Sequence, residues 1–267
     1  MKRGSATAKI NLALVVGARR DDGYHEVATV LQRIDLTDRI ELVPAGEVQV
    51  TGFAGDTLVK RALEAIAVET GTCWQARIEK HIPVAAGLGG GSSDAATALA
   101  LAGESLTPPL ADERLHELAA QLGSDVPFFL TSGPQLATGR GTDLEPLELP
   151  QDFWIVLLLP DDTRKRSTAE VYDAFDAGDG FNDRRAALLA SLAATARPAD
   201  LAALPPNDLA TSPLADELLG AGAFRADVSG AGPAVYGLFT HEHDAALAAR
   251  RLRARGRVWI TVPAWYG

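Results

Sequence analysis

The chain has 267 residues, of which 47% are hydrophobic and 22% are charged, and its formal net charge at pH 7 is −10. This is the composition of a globular protein with one or two domains; the acidic balance argues against nucleic-acid binding, and the single Cys73 excludes an internal disulfide or a cysteine-based metal site. No apolar run approaches the roughly 20 residues of a membrane span, and no signal peptide is recognisable, so we expect a cytoplasmic protein with no membrane partner.

In the first half of the chain, the hydrophobic pattern predicts a mixture of strands and helices. Residues 7–16 alternate and then become continuously apolar, which indicates a strand. The other predicted elements are, in order, short strands DRIELV and EVQVT separated by Pro44 and Gly46, a helix over 57–71 that ends at Gly71, a strand over 74–80, a glycine-rich loop followed by a helix through Leu101, and a helix over 112–123 that ends at Gly123.

The second half begins after a polar, proline-rich stretch, residues 142–152, which we take as a domain boundary that divides the chain into domains 1–148 and 149–267. Beyond it, the pattern predicts a strand WIVLLLP, a short helix STAEVYDAF, helices near 183–195 and 212–221, strands FRADVS and AVYGLF, a last helix, and a strand RVWITV. Strands and helices mix without regular β-α-β alternation, so the fold class is α+β.

The most informative motif is the glycine-rich loop GLGGGSS, which holds four glycines in five residues and leads into a helix. Free backbone N–H groups at a helix N-terminus form a phosphate-binding site. The motif is neither GxxxxGK[ST] nor GxGxxG, and an ordinary helix entry capped by Ser92 or Ser93 is an alternative. Three consecutive glycines would carry a large entropy cost in a mere turn, which favours the phosphate site.

Two charged residues are candidates for catalysis. Lys9 lies in an apolar strand with Asn11 on the same face; it is either an exposed edge-strand lysine or a cation that reaches a phosphate or a reacting oxygen. Asp125 follows the helix stop at Gly123 and precedes Pro127; it is either a helix cap or a partly buried carboxylate that needs a cation. Lys9 would meet that need.

Three further segments carry candidate binding residues. Tyr24 and His25 are either surface aromatics after a turn or rings that stack on a flat ligand group. Tyr172, one helical turn after Thr168, is either a core residue or part of the same ring site. The second small-residue loop, residues 229–233, is either a tight turn or a close backbone approach to a substrate or to the first loop.

Together these motifs resemble the GHMP kinase superfamily: an early strand lysine, PxxxGLGGGSSDAA in the middle and SGxGP near the end. Within it, GYH, GSDVPFF, STAEVY and NDL resemble the branch that uses ATP to phosphorylate the 2-hydroxyl of 4-diphosphocytidyl-2-C-methyl-D-erythritol, in the non-mevalonate route to isoprenoid precursors. The resemblance extends from Lys9 to Gly232. It implies a ribosomal-protein-S5-like N-terminal domain and a ferredoxin-like C-terminal domain, with the active site in the cleft between them.

The resemblance also implies residue roles. Lys9 and Asp125 would be the catalytic pair. The ATP-binding residues would be Lys80, Pro83, Val84, Ala85, Ala86, Gly87, Leu88, Gly89, Gly90, Gly91, Ser92 and Ser93. The substrate-binding residues would be Asn11, Tyr24, His25, Thr168 and Tyr172. Magnesium would bridge the phosphates; its protein ligands are not apparent, with Ser93 as the only suggestion.

Two positions depart from the family pattern: Thr57 stands where asparagine is common, and Thr142 stands where GRGE is usual. Three alternatives remain open at this point: another GHMP kinase for mevalonate, homoserine or a sugar, an inactive ligand sensor, and an RNA-binding module, which the acidic charge disfavours. The chain would be a monomer or a homodimer.

Overall fold

The structure is a computed structural model that describes residues 1–161, 167–175 and 178–264. Within these residues, ten strands form a six-stranded and a four-stranded sheet. Helices pack on both sheets, so the α+β prediction is confirmed. None of the described helices has the length and apolar character needed to traverse a lipid bilayer.

The first sheet is built around two long antiparallel strands. Its strands are β1 Lys2–Arg19, β2 His25–Ala45, β3 Gln49–Thr51, β4 Cys73–Glu79, β5 Gln135–Gly139 and β6 Asp143–Pro146. Strand β1 pairs along nearly the whole of β2, whose other edge is shared by β4 and β5. The expected short strand DRIELV is therefore only one part of β2. Pro44 does not interrupt the pairing of β2, because it still pairs with Trp74 of β4. A proline is tolerated there because it lies next to the last residue of the strand.

Three helices cover one face of this sheet: α1 Leu58–Thr70, α2 Gly90–Gly103 and α3 Asp112–Leu122. Gly71 ends α1 in the left-handed conformation, as its position predicts. Helix α2 buries a row of alanines and comes so close to β1 that a Cβ on Gly4 would lie 2.6 Å from Thr97 Cγ2. Helix α2 begins at Gly90 with Gly89 as its N-cap, so the alternative in which Ser92 or Ser93 caps this helix is wrong.

The second sheet consists of antiparallel strands in the order β10-β7-β9-β8. These strands are β7 Trp154–Pro160, β8 Arg225–Val228, β9 Val235–Phe239 and β10 Gly256–Thr261. The helices of this part are α4 Thr168–Asp173, α5 Phe181–Ala194, α6 Pro213–Leu219 and α7 Glu242–Leu252. Helices α6 and α7 bury Leu218 and Leu252 against one face of the sheet.

Strand β1 lies where the two sheets meet. One apolar cluster contains Ile10 and Leu12 of β1 together with Leu157 and Tyr236 of the second sheet. The Tyr236 hydroxyl donates a hydrogen bond of 2.9 Å to the carbonyl oxygen of Asn11. This junction brings the strand that carries Lys9 into contact with both parts of the chain. The predicted boundary stretch is not irregular throughout, because its first residues form β6 of the first sheet.

Candidate active site

A cavity of about 730 Å³ opens beside β1 and the glycine-rich loop. The candidate residues that line it are Lys9, Asn11, Tyr24, His25, Lys80, Pro83, Val84, Ala85, Ala86, Gly87, Leu88, Gly89, Gly90, Gly91, Ser92, Asp125, Thr168 and Tyr172. Ser93 is the exception: its side chain is buried on the inner side of α2 and does not line the cavity. The suggestion that Ser93 holds magnesium therefore finds no support.

The glycine-rich loop holds a backbone path that side chains would obstruct. Gly87 has φ +80°, and a Cβ there would lie 2.1 Å from the carbonyl oxygen of Ser229. Gly89 also has positive φ, and a Cβ there would press against Phe129 and Lys9. Glycine at these positions thus lets the loop approach both β1 and the second small-residue loop.

The second small-residue loop packs directly on the first. The Ser229 hydroxyl donates to the Gly87 carbonyl oxygen at 2.9 Å, and the Ala234 N–H donates to the Ala86 carbonyl oxygen at 3.1 Å. The interpretation of residues 229–233 as a close backbone approach to the first loop is therefore confirmed. The two loops form one wall of the cavity, although 142 residues separate the Ser229 and Gly87 partners.

Lys9 is buried, with only 5% of its side chain exposed, so it is not an exposed edge-strand lysine. Its Nζ donates to Asn11 Oδ1 at 2.6 Å and lies 3.6 Å from Asp125 Oδ2. The Asn11 amide is fixed in turn, because its Nδ2 donates to Thr29 Oγ1 at 2.8 Å. The ammonium group is thus aimed by a chain of hydrogen bonds that begins on β2.

Asp125 lies between two helical segments without capping either. Gly123 ends α3, and a 3₁₀ helix at Pro127–Leu130 begins without a side-chain cap. The capping alternative for Asp125 is therefore wrong. Its side chain is 40% exposed and faces both Lys9 and the cavity, where it can meet a bound molecule.

Arg33 holds the segment that follows Asp125, and sequence reasoning missed it. Its guanidinium donates to the carbonyl oxygens of Phe128, at 3.1 Å, and of Thr131. The rings of Phe128 and Phe129 lie 5.5 and 5.7 Å from it. Burial lowers the pKa of Arg33 to about 10, so the group remains charged at neutral pH. Arg33 is the cross-strand partner of Lys9, a relation that only the register of β1 and β2 establishes.

Lys80 forms a buried cluster with two carboxylates that sequence reasoning also missed. Its Nζ lies 2.5 Å from Asp38 Oδ2 and 2.7 Å from Asp94 Oδ2. Asp38 accepts two more hydrogen bonds, from the backbone N–H groups of His81 and Ile82. Burial raises the pKa of Asp94 to about 7, because Lys80 is shared with Asp38 and compensates only part of the desolvation. The only indication of this cluster in the sequence was that each aspartate lies on a buried face, Asp38 on that of a strand and Asp94 on that of a helix.

One part of the cavity is lined by the aromatic side chains of Tyr24, His25 and Tyr172. His25 Nδ1 donates to the Gly17 carbonyl oxygen at 2.9 Å, which leaves Nε2 of the neutral ring as an acceptor. The His25 ring centroid lies 5.6 Å from that of Tyr172. Helix α4, which carries Tyr172, begins with a reciprocal capping box between Ser167 and Glu170. This cap fixes the start of the helix, and Tyr172 both lines the cavity and packs against the buried cluster of Leu14, Val16 and Val27, so both interpretations of Tyr172 hold in part.

Comparison with known proteins agrees with this arrangement. The descriptions "GHMP kinases N terminal domain" and "GHMP kinases C terminal" match residues 57–133 and 189–258. A 4-diphosphocytidyl-2-C-methyl-D-erythritol kinase of Pelotomaculum thermopropionicum is 41% identical over 93% of this chain and 92% of the relative. That of Desulfitobacterium hafniense is 39% identical over 96% of this chain and 93% of the relative.

This chain belongs to the 4-diphosphocytidyl-2-C-methyl-D-erythritol kinase family. A crystal structure titled 4-(cytidine 5'-diphospho)-2C-methyl-D-erythritol kinase is 33% identical and has a TM-score of 0.79 over 98% of this chain and all of that one. A homoserine kinase structure from Cytophaga hutchinsonii has a TM-score of 0.74 over 98% of this chain and 96% of that one, but it is only 15% identical and shares the fold alone. As a member of the kinase family, the chain is an ATP-dependent small-molecule kinase.

The family assignment explains which cavity-lining residues could be predicted from the sequence. The glycine-rich loop and the catalytic candidates lie in short motifs of this kinase family, and they converge on one wall. Thr57, one of the two departures, lines the cavity beside Phe53 and Asp56, and the Phe53 ring centroid lies 5.8 Å from Lys80 Nζ. Thr142, the other departure, does not line the cavity, although its neighbours Arg140 and Gly141 do.

Proposed function

We propose that this kinase transfers the γ-phosphoryl group of ATP to the 2-hydroxyl of 4-diphosphocytidyl-2-C-methyl-D-erythritol, within the non-mevalonate route to isoprenoid precursors. The observation that carries the proposal is the pairing of Lys9 Nζ with Asp125 Oδ2 at 3.6 Å, beside a glycine-rich loop and in the same cavity as an aromatic site. The names of relatives that are 36–41% identical supply the acceptor.

The glycine-rich loop would bind the phosphates of ATP. The N-terminus of α2 begins at Gly90 and offers backbone N–H groups and the positive end of the helix dipole. Lys80 contributes to this end of the cavity through its place between Asp38 and Asp94 and orders the start of α2, since Asp94 belongs to that helix. Phosphoryl transfer depends mainly on such positioning and on charge neutralisation.

Asp125 would accept the proton of the acceptor hydroxyl, and Lys9 would stabilise the negative charge that develops on the oxygen. The ammonium group is suited to this role because Asn11 holds it and burial keeps water away from it. Asp125 is suited to the role of base because part of its carboxylate reaches the cavity.

Magnesium fits the donor set of this chain. The described residues contain no group of three or more acidic, histidine or cysteine side chains that could hold a metal by themselves. Kinases typically hold Mg²⁺ through substrate phosphates, waters and one or two carboxylates. Asp94 Oδ1 is buried without a hydrogen-bond partner among the described residues, and Asp94 and Ser92 line the cavity. These two residues would hold the ion, which would neutralise charge on the phosphates.

The aromatic end would bind the cytosine ring. Nε2 of neutral His25 can accept a hydrogen bond from the exocyclic amine of cytosine, which is a donor on that base. Tyr24 and Tyr172 offer ring faces on which a flat base can stack, while Asn11 and Thr168 offer polar groups to the rest of the acceptor.

We propose that the reaction takes place between an N-terminal domain, 1–148, and a C-terminal domain, 149–267. Two features support this division. The strands of the first sheet all precede residue 147, and those of the second sheet all follow residue 153. The second small-residue loop crosses to the first domain, where a Cβ on Gly230 would lie 3.4 Å from Lys9 Nζ.

The test is a coupled assay of ADP release with 4-diphosphocytidyl-2-C-methyl-D-erythritol, beside mevalonate and homoserine as alternative acceptors. We expect turnover with the first acceptor only, together with the product phosphorylated at the 2-hydroxyl by ³¹P NMR. Turnover of mevalonate or homoserine without turnover of the cytidine conjugate would reject the proposed substrate.

A further inference from the structure

We propose that Arg140 binds the diphosphate group of the acceptor and thereby selects a nucleotide-linked substrate over a neutral alcohol. This inference rests on the proposed function, because it assigns a part of the same cavity to one part of that substrate. None of the motifs discussed so far gives Arg140 a role.

Arg140 is held in place at the wall of the cavity. It lies in the turn between β5 and β6, and one guanidinium nitrogen, Nη2, donates to the Ala120 carbonyl oxygen at 3.0 Å. The guanidinium carbon lies 5.5 Å from the centroid of the Tyr24 ring. A guanidinium has five N–H donors, so these contacts leave donors for a ligand.

The turn that carries Arg140 connects the two ends of the acceptor site. On one side, a Cβ on Gly141 would lie 3.6 Å from Cβ of Ser124, the residue before Asp125. On the other side, Arg140 covers the ring of Tyr24. Arg140 therefore lies between the candidate base and the aromatic site.

The acceptor has the same order of groups. Its cytosine and its reacting hydroxyl are at opposite ends, and the diphosphate joins the ribose to the methylerythritol. A substrate with cytosine at the aromatic end and its hydroxyl at Asp125 must place the diphosphate between them. Arg140 is a positively charged residue at that place.

The charge of Arg140 is also available. Among the residues that the structure describes, four lysine or arginine side chains line the cavity, and three of them have carboxylate partners: Lys9 with Asp125, Lys80 with Asp38 and Asp94, and Arg19 with Asp173 at 3.7 Å. In the part of the chain that the structure describes, no carboxylate oxygen lies within 4.0 Å of the Arg140 guanidinium.

Arg140 contributes to lowering the pKa of Asp22, but Asp22 has other, closer partners. Its pKa is lowered mainly by the Tyr24 backbone N–H, and further by Arg20 and Arg140. Arg20 Nε lies 3.2 Å from an Asp22 carboxylate oxygen. Arg140 therefore keeps donors and charge for a phosphate, which a guanidinium can bind through two parallel hydrogen bonds.

The experiment compares the binding of cytidine and CDP to the full chain by calorimetry without ATP. We expect the unmodified chain to bind CDP at least about tenfold more tightly than cytidine, in line with a charge-assisted contact. Arg140→Gln should weaken CDP binding about tenfold and change cytidine binding less than twofold. Arg250→Gln, an exposed arginine on α7, is the control for loss of one positive charge and should bind both ligands as the unmodified chain does.

Kinetics with the complete acceptor separate this inference from the proposed function. We expect Arg140→Gln to raise KM for 4-diphosphocytidyl-2-C-methyl-D-erythritol about tenfold and to leave KM for ATP unchanged. Unchanged KM for the acceptor, in a chain that does turn it over, would overturn the role of Arg140 and leave the proposed function intact. No turnover by the unmodified chain would instead reject the proposed function.

Two further outcomes decide the role of Arg140. An equal loss of cytidine and CDP binding in Arg140→Gln would show that Arg140 only supports the Tyr24 ring, and it would overturn the inference. If that variant does not fold, Arg140→Lys decides, because lysine keeps the charge but lacks the paired donors. We then expect CDP binding to weaken at least threefold, and unaffected CDP binding would refute the inference.

Discussion

Replacing Asp125 by asparagine tests the catalytic pair with little disturbance to the fold. Two unit charges 3.6 Å apart interact by about 1 kcal/mol in water and by about 4–5 kcal/mol at an effective dielectric constant near 20. Because the Asp125 side chain is 40% exposed, the lower value applies. Lys9 also keeps its hydrogen bond to Asn11. We therefore expect a loss of about 1 kcal/mol or less in the free energy of unfolding.

The effect on the reaction should be much larger. An amide cannot accept the hydroxyl proton, so we expect kcat to fall about 10²-fold or more, which corresponds to about 2.7 kcal/mol in the activation barrier. ATP affinity should remain within about twofold, since the glycine-rich loop, the proposed phosphate site, is unchanged. The assay is ADP release under saturating substrates, with nucleotide binding measured separately.

The control for this experiment is Asp152→Asn, which removes an exposed carboxylate that does not line the cavity. It should leave kcat unchanged. A kcat for Asp125→Asn within threefold of the unmodified enzyme would refute the assignment of Asp125 as the base. The assignment would also be refuted if the fall in kcat came with losses of thermal stability and of ATP binding that are large enough to account for it.

Three other outcomes are expected. Gly87→Ala should lower the free energy of unfolding by about 1–3 kcal/mol and weaken ATP binding, because its Cβ would meet the Ser229 carbonyl oxygen at 2.1 Å. Gly133→Ala is the control, since Gly133 has a similar positive φ but open space around it. Calorimetric scans should show a larger loss of stability in Gly87→Ala than in Gly133→Ala. His25→Ala should raise KM for the cytidine substrate with little effect on ATP, and an unchanged KM would argue against base recognition there. The raised pKa of Asp94, about 7 against 3.8, means that the folded state binds the proton of this carboxyl more tightly than the unfolded state does. The free energy of unfolding should therefore fall by up to about 4 kcal/mol as pH rises from about 4 to 7. Urea titrations across this pH range should show that Asp94→Asn loses this pH dependence.

Much of the secondary structure followed from local sequence. Helices α1 and α3 end at Gly71 and Gly123, where the glycines predict an end. The apolar run at β7 and the entry of the glycine-rich loop into α2 also agree with expectation. These features depend on residues within a few positions of each other, so a single stretch of sequence carries the whole signal.

The lengths of β1 and β2 did not follow from local sequence. The pattern predicted short strands around Pro44, but strand β2 continues for 21 residues because β1 on one edge and β4 and β5 on the other supply partners along it. A strand is stabilised by its neighbours, and their register is a property of the whole sheet.

The candidate site shows the same division. Sequence motifs identified Lys9, Asp125 and the glycine-rich loop as separate features, and their short length made them recognisable. The carboxylates around Lys80 were not apparent, because Asp38 and Asp94 lie 42 and 14 positions from it along the chain. Arg33 was equally hidden, since its role depends on carbonyl groups 95 and 98 positions away.

By itself, the sequence determined the α+β class and the position of most helices and strands, and it singled out the glycine-rich loop and the candidate catalytic residues. The tertiary structure decided which of those residues meet, which carboxylate is paired with which cation, and which side chain faces the cavity. The physical reason is that helix ends and turns depend on adjacent residues, whereas burial and charge pairing depend on groups brought together from distant parts of the chain by the packing of two sheets around β1.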